Sequence, residues 1–204
     1  DATKFALTEA GVLTFAATTD FEAPADNGTD NVYNITVTIT DGTNTSTQAI
    51  AITVTNVNEA PVITSTSFGS VAEEQTAVGT LAVTDDAGDS VTFTITGGVD
   101  SDKFAVSGST LAFSGFTPNF ESPTGGVGNN SNTYLVQITA TDGGSLTDVE
   151  TVSVTVVNAN EAPTITASST YSVAENTTAV GNITGTDIDS GDAASLAFTL
   201  SGVD

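Results

Sequence analysis

Asn34-Ile35-Thr36-Val37-Thr38-Ile39-Thr40 and Ala49-Ile50-Ala51-Ile52-Thr53-Val54-Thr55 decide the fold of this chain. Both stretches alternate apolar and polar residues, the period of a strand that buries one face. The threonines give the outer face β-branched residues without making it apolar. The pattern returns at Tyr134 to Thr141 and at Val152 to Val157. Working outward, further strands are predicted at Leu81 to Thr84, Val91 to Thr96, Phe104 to Val106, Thr110 to Phe113 and around Pro61-Val62-Ile63-Thr64, separated by Gly, Asn, Asp and Ser clusters. No run has helical periodicity with caps. About seven strands per unit predict an all-β fold of tandem antiparallel Greek-key sandwiches, immunoglobulin-like in plan. The loop from Pro118 to Asn132, rich in Pro, Gly and Asn, is the expected crossover between sheets.

The unit repeats. Lys4-Phe5-Ala6 returns at Lys103-Phe104-Ala105 after 99 residues. Asn58-Glu59-Ala60-Pro61 returns at Asn160 to Pro163, and Val71-Ala72-Glu73 at Val173 to Glu175, both after 102. Self-similarity at a fixed period marks a repeat architecture, and the drift is what loops absorb. Twelve of the thirteen aromatics form six equivalent pairs: Phe5/Phe104, Phe15/Phe113, Phe21/Phe120, Tyr33/Tyr134, Phe68/Tyr171 and Phe93/Phe198, leaving Phe116. Residues repeated in this way are framework positions. If a unit ends at the Pro of the Asn-Glu-Ala-Pro linker, residues 1–61 are the back part of one repeat, 62–163 a complete repeat, and 164–204 the front part of another. Asp1, Asp100 and Asp204 share one phase of the repeat. The expected partners are neighbouring repeats of the same chain or head-to-tail copies of the same protein.

Composition narrows the chemistry. Among 204 residues, 25 are acidic and two basic, Lys4 and Lys103, a net charge of −23. That balance excludes the basic surface that nucleic acid or anionic lipid requires. Cys, Met, Trp and His are absent, which removes disulfides, thiolate chemistry, zinc or copper sites and the commonest general base. No stretch approaches the roughly 20 apolar residues of a membrane-spanning helix, so no direct membrane insertion is expected. A glycosidase needs one distinguished pair of carboxylates, and the repeat would duplicate any such pair. The chain is read as no enzyme.

Oxygen-donor residues gather instead at the unit boundaries. Val71-Ala72-Glu73, Thr186-Asp187-Ile188-Asp189, Asp20-Phe21-Glu22, Ala140-Thr141-Asp142 and the linker Asn158-Ala159-Asn160-Glu161-Ala162-Pro163 follow one another in register. In this order and spacing the chain resembles the cadherin-type repeats of bacterial surface proteins. The resemblance implies calcium ions held at the boundary of consecutive repeats. After the complete repeat it implies Glu73, Glu121, Asn158, Asn160, Glu161, Asp187 and Asp189 as ligands; before it, Asp20, Glu22, Asn56, Asn58, Glu59, Asp85 and Asp142. Asp41, the equivalent of Asp142, would face a junction before residue 1.

The chemistry of the donors points to the same ion. Carboxylates brought within about 4 Å repel by roughly 4 kcal/mol per pair at an effective dielectric near 20, so their convergence calls for a cation. Calcium takes six to eight oxygens from carboxylates, amides and carbonyls, whereas magnesium keeps a tight octahedron and its waters. Asn56 and Asn158 fill a linker slot where the family has Asp, and Ala60 and Ala162 one where it has Asn, which implies weaker or fewer ions. Asp85-Asp86-Ala87 lacks the second Asp seen at Asp189, so Asp86 or Asp89 compensates or one ion is missing. The functional expectation is a calcium-stiffened spacer of a bacterial extracellular filament, stalk or large adhesin, at the cell surface or secreted. The alternative is a calcium-dependent carbohydrate-binding module, opposed by the missing Trp. Six Asn-x-Ser/Thr sequons, at Asn27, Asn34, Asn44, Asn129, Asn176 and Asn182, are expected by chance in so Thr- and Asn-rich a chain.

Overall fold

A computed structural model describes every residue except Ala87, Asn129, 190–194 and 203–204. The sequon at Asn129 and the phase-marking Asp204 therefore lie outside the described residues. Among the described residues there is no α-helix, only strands and two 3-10 turns, and no helix able to cross a membrane. The chain divides into two compact units: Asp1–Val62 with Thr84–Val91 and Thr141–Thr147, and Ile63–Val83 with Thr92–Ala140 and Asp148–Asp204.

In the first unit a 3-10 turn, Ala2–Lys4, leads into β1 (Phe5–Leu7), which runs antiparallel to β2 (Leu13–Phe15) with Phe5 opposite Phe15. β3 (Val32–Thr40) and β4 (Thr45–Thr53) form a nine-residue hairpin with Tyr33 opposite Ile52. Its turn is closed by Asp41, whose Oδ1 accepts from the N–H groups of Asn44 at 2.7 Å and Thr43 at 2.9 Å. Those donors hold the Asp41 carboxyl below its usual range. Tyr33 is buried beneath Phe5 and Phe15, edge-on to both rings at 5.8 and 5.1 Å.

The remaining strands belong to the second unit apart from end residues. They are β5 (Val62–Ile63), β6 (Ser67–Ala72), β7 (Ala77–Thr80), β8 (Val83–Thr84), β9 (Thr92–Gly97), β10 (Phe104–Ser107), β11 (Thr110–Phe113), β12 (Thr133–Thr141), β13 (Thr147–Val157), β14 (Thr164–Ile165) and β15 (Gly185–Thr186). One sheet has the order β10-β11-β7, the other β6-β13-β12-β9, and β5 pairs with β8. β5 with β6, and β7 with β8, are single strands interrupted once each, so residues 62–157 make seven strands of a Greek-key sandwich. The interruption lets the first strand change partners: its first half pairs with β8, its second runs parallel to β13. Residues 114–132 carry the chain from one sheet to the other, the crossover read from the sequence.

Alternation explains the core. Tyr134, Val136, Ile138 and Ala140 of β12 and Val152, Val154 and Val156 of β13 all point inward and are essentially inaccessible, meeting Leu111 and Phe113 of β11. Phe104, Phe113 and Tyr134 repeat the aromatic cluster of the first unit, and the unmatched Phe116 joins it, edge-on to Phe113 at 5.2 Å. Six short strands, β1, β2, β6, β7, β14 and β15, were absent from the sequence expectation. β6 breaks its alternation at Ser70, which has φ +65° and sits at a bulge where three β6 steps face two on β13. After the second linker the pairing of β14 with β15 repeats that of β5 with β8. The bond from Thr166 N–H to the Thr184 carbonyl at 2.8 Å repeats that from Thr64 to Ala82 at 2.9 Å. Gly181 lies under the Tyr171 ring as Gly79 lies under Phe68; at both a Cβ would come within 2.5 Å of ring carbon.

Candidate metal centres

Two groups of acidic residues stand out, each inside one unit. In the first unit, β8 leads directly to Asp85 and Asp86, the β12–β13 turn supplies Asp142, and the linker 54–61 supplies Asn58 and Glu59. Carboxylate oxygens of Glu22, Glu59 and Asp86 lie within 4.8 Å of one another, and so do those of Asp85, Asp89 and Asp142. The linker is fixed from both sides: Asn58 Nδ2 donates to Asp142 at 2.6 Å, and Glu59 N–H donates to Asp86 at 3.2 Å. Both carboxylate oxygens of Asp85 are buried and have no hydrogen-bond partner.

In the second unit the group is built on Glu73 at the end of β6. Its side chain is 1% exposed. One oxygen accepts from the Phe120 N–H at 2.7 Å, the other from the Ala159 N–H at 2.9 Å, so it ties the crossover loop to the second linker. Oxygens of Glu73, Glu121 and Glu161 fall within 4.8 Å of one another. Asp189 accepts from Asn158 Nδ2 at 2.7 Å and Glu161 N–H at 2.9 Å, and Asp187 accepts from Asp189 N–H at 3.1 Å. One oxygen each of Glu121 and Glu161 is buried without a partner.

The remaining expected donors divide. Asn160 Nδ2 donates to the Glu161 carbonyl at 2.9 Å, as Asn58 does to that of Glu59 at 3.3 Å, and both residues are exposed. Asn56 is exposed. Asp20 Oδ1 accepts from the Ala23 N–H at 2.9 Å, and Asn119 Oδ1 takes the Ser122 N–H at 2.6 Å in the same place, so this slot closes a turn. Asp86 is one of the two residues expected to compensate for the second Asp missing at the first linker. It takes the linker N–H that Asp189 takes at the second, although it follows Asp85 by one residue where Asp189 follows Asp187 by two. The signal in the sequence was the paired Asp itself.

Electrostatics follows from this crowding. Burial, then the charges of Glu73 and Asp189, hold Glu121 and Glu161 above the usual carboxylate range. Burial and the neighbouring Asp86 do the same to Glu59. Asp142 goes the other way: burial opposes its ionisation, but the Asn58 amide and the Leu146 N–H outweigh it and hold the carboxyl low. Carboxyls raised on folding bind more protons in the folded state, so their contribution is complete below their unfolded pKa and is lost as pH rises through the folded value. Without divalent metal the protein should therefore melt at higher temperature near pH 5 than at pH 7. Below about pH 4, protonating the lowered Asp41 and Asp142 should reverse the trend. With saturating calcium the order of pH 5 and pH 7 should invert, because protons then compete with the ion. Calorimetric scans across pH, with calcium and with chelator, check both signs.

The donor set fits a hard, oxygen-liganded cation. Each group offers carboxylates on three or more backbone segments, in the irregular arrangement calcium accepts. No protein cation neutralises them. Lys103 ion-pairs with Asp102 at 4.0 Å and lies over the Phe116 ring at 5.2 Å, and no other ion pair occurs among the described residues.

No protein-family profile and no curated protein matches the chain. Among solved structures it is similar to protocadherin Gamma B2 extracellular cadherin domains 3–6, with TM-score 0.56, 20% identity, and coverage of 93% of this chain and 50% of that one. It is similar also to human protocadherin-24 EC1-2 (0.54, 20%, 77% and 78%) and to protocadherin Gamma B7 domains 1–4 (0.53, 20%, 93% and 48%). The chain thus spans about half the length of the Gamma B7 chain. At this identity the likeness establishes the fold, that of cadherin extracellular domains.

Proposed function

We propose that the chain is a calcium-stiffened structural spacer of an extracellular filament, stalk or large bacterial adhesin. In this reading residues 62–163 are one complete cadherin-like repeat, 1–61 the back of a preceding one and 164–204 the front of a following one. Ions at the two Asn-Glu-Ala-Pro linkers lock consecutive repeats. The observation that carries the reading is the set of buried carboxylate oxygens without partners on Asp85, Glu121 and Glu161, each inside a cluster of like charges. A buried, unpaired carboxylate is costly, and a divalent cation removes that cost.

The first linker would hold calcium through Asp85, Asp86, Asp89, Asp142, Glu22 and Glu59; the second through Glu73, Glu121, Glu161, Asp187 and Asp189, with the linker asparagines completing the shells. Ions that bind only the ordered arrangement stabilise it by mass action. The role is mechanical. Tyr33 and Tyr134 are buried in the cores, so two of the three tyrosines serve the framework. Excess chelator should lower the melting temperature by on the order of 10 °C and enlarge the radius of gyration in solution scattering. An unchanged melt together with an unchanged radius would overturn the reading.

A further inference from the structure

At the second linker the protein's own donors occupy both oxygens of a buried carboxylate. Asp189 is 4% exposed. An ionised carboxylate only accepts, so the Asn158 amide meets it through its NH₂. Nδ2 of Asn158 donates to one oxygen at 2.7 Å, and the Glu161 N–H donates to the other at 2.9 Å. Asp189 gives its own N–H to Asp187 at 3.1 Å, and Glu73 takes the Ala159 N–H at 2.9 Å. Linker positions 158, 159 and 161 are thus each held by a buried carboxylate, through bonds between protein groups alone. The first linker lacks this pair. Asn56, the equivalent of Asn158, is exposed, and the equivalent of Asp189 is Ala87. Asp86 takes the Glu59 N–H at the longer distance of 3.2 Å, and Asn58 reaches Asp142 on the β12–β13 turn instead. Asp85, the equivalent of Asp187, keeps both oxygens buried and without a hydrogen-bond partner.

We infer that the Asn158–Asp189 pair is a metal-independent latch, which keeps residues 158–161 in place when calcium is withdrawn, while the first linker, without the pair, loosens. The latch itself needs no ion; the contrast between the two linkers rests on the calcium reading above. Its physical basis is the choice of an amide over an acid. Hydrogen bonds to an ionised acceptor are about twice as strong as neutral ones, and here the acceptor is removed from water. The amide supplies such a bond and adds no charge to the cluster. An acid at position 158 would set two carboxylates where one donor and one acceptor now meet, and they would part unless a cation joined them. The charge that stays uncompensated at the second linker lies on Glu73, Glu121 and Glu161, the last two with one orphaned oxygen each. An ion on that trio stabilises a linker that the latch already holds. At the first linker the bare Asp85 carboxylate stands beside Asp89 and Asp142, and only an ion offsets their repulsion. One side chain therefore sets which linker responds to calcium.

Asn158 is itself exposed, so its replacement leaves the sandwich core untouched. Amide hydrogen exchange of the full chain is followed by NMR, with calcium and with excess chelator, for the parent, Asn158→Ala, Asn158→Asp and Asn56→Asp. In chelator the parent's Glu161 amide should be protected on the order of ten-fold more strongly than its Glu59 amide. Asn158→Ala and Asn158→Asp should each abolish that difference, and Asn56→Asp should leave the protection of Glu161 as it is. Calcium should restore protection at Glu161 more fully in Asn158→Asp than in Asn158→Ala, because the acid adds a ligand. Titration calorimetry should show calcium binding to Asn158→Asp on the order of ten-fold tighter than to the parent. Equal protection of Glu161 and Glu59 in chelator, or a Glu161 amide that neither Asn158 variant affects, overturns the latch. The expected chelator pattern with no heat of calcium binding in any variant would leave the latch standing and overturn the calcium reading alone.

Discussion

Glu73→Ala should lower the stability of the second unit by about 4 kcal/mol in calcium and by about 2 kcal/mol in chelator. The difference comes from two separate jobs of one carboxylate. Its oxygens take the N–H groups of Phe120 and Ala159, donors that in the alanine variant face a space that is 1% accessible. Charge-assisted bonds of this kind are worth about 1.5–3 kcal/mol each, and orphaned buried donors add to the loss. Against that, removing one negative charge relieves Glu121 and Glu161, which is why the cost in chelator is the smaller. Calcium reverses the balance, since it neutralises the cluster in the native protein and loses a ligand in the variant. Glu73→Gln keeps an acceptor at one oxygen and presents an NH₂ to the other donor, so it should fall between. Urea titrations with and without calcium read all four numbers. Equal losses in calcium and chelator would remove Glu73 from the ion site while leaving its structural role.

The fold was legible because its longest strands alternate without interruption, and 32–40, 45–53, 133–141 and 147–157 need only period-two reading. Of the strands that escaped, β1, β2, β14 and β15 are only two or three residues long, and in β6 and β7 the pairing is broken by a real distortion. β6 contains Gly69 and the left-handed Ser70 at its bulge, so Ser67 to Ala72 reads as a turn although it pairs along most of its length. β7 is four residues long and includes Gly79, whose missing side chain is filled by the Phe68 ring. At the acidic clusters, spacing brought forward residues that do converge, such as Glu73, Glu121 and Glu161. It could not separate a carboxylate aimed at a cluster from one spent on backbone. Asp20 and Asp85 look alike in sequence; one oxygen of Asp20 closes a turn, while neither oxygen of Asp85 has a protein partner.

Asp100 is the clearest case of that ambiguity, and Asp100→Ala should cost about 3 kcal/mol, the same in calcium and in chelator. In the sequence it only marks the phase of the repeat, shared with Asp1. In the fold it is 3% exposed, one oxygen accepting from Gly126 N–H at 2.7 Å and the other from Leu135 N–H at 2.9 Å. Gly126 belongs to the crossover loop, which has no ladder to satisfy its donors, and Leu135 lies in β12, so the carboxylate clasps the loop to the strand. The conformation it clasps is one only glycine takes easily, with φ +80° and the Ser131 and Thr133 carbonyls where a Cβ would stand. Asp1 repeats the arrangement, accepting from Asn27 and Asn34 N–H groups, both at 2.8 Å, which makes the interaction part of the repeat and separates it from cation binding. For a domain of about 100 residues the loss amounts to a melting temperature lower by roughly 10–20 °C. It should appear locally as faster hydrogen exchange at the Leu135 and Gly126 amides, while calcium still raises the melt of the variant as much as that of the parent. A calcium-dependent loss would instead place Asp100 among the ion-linked residues.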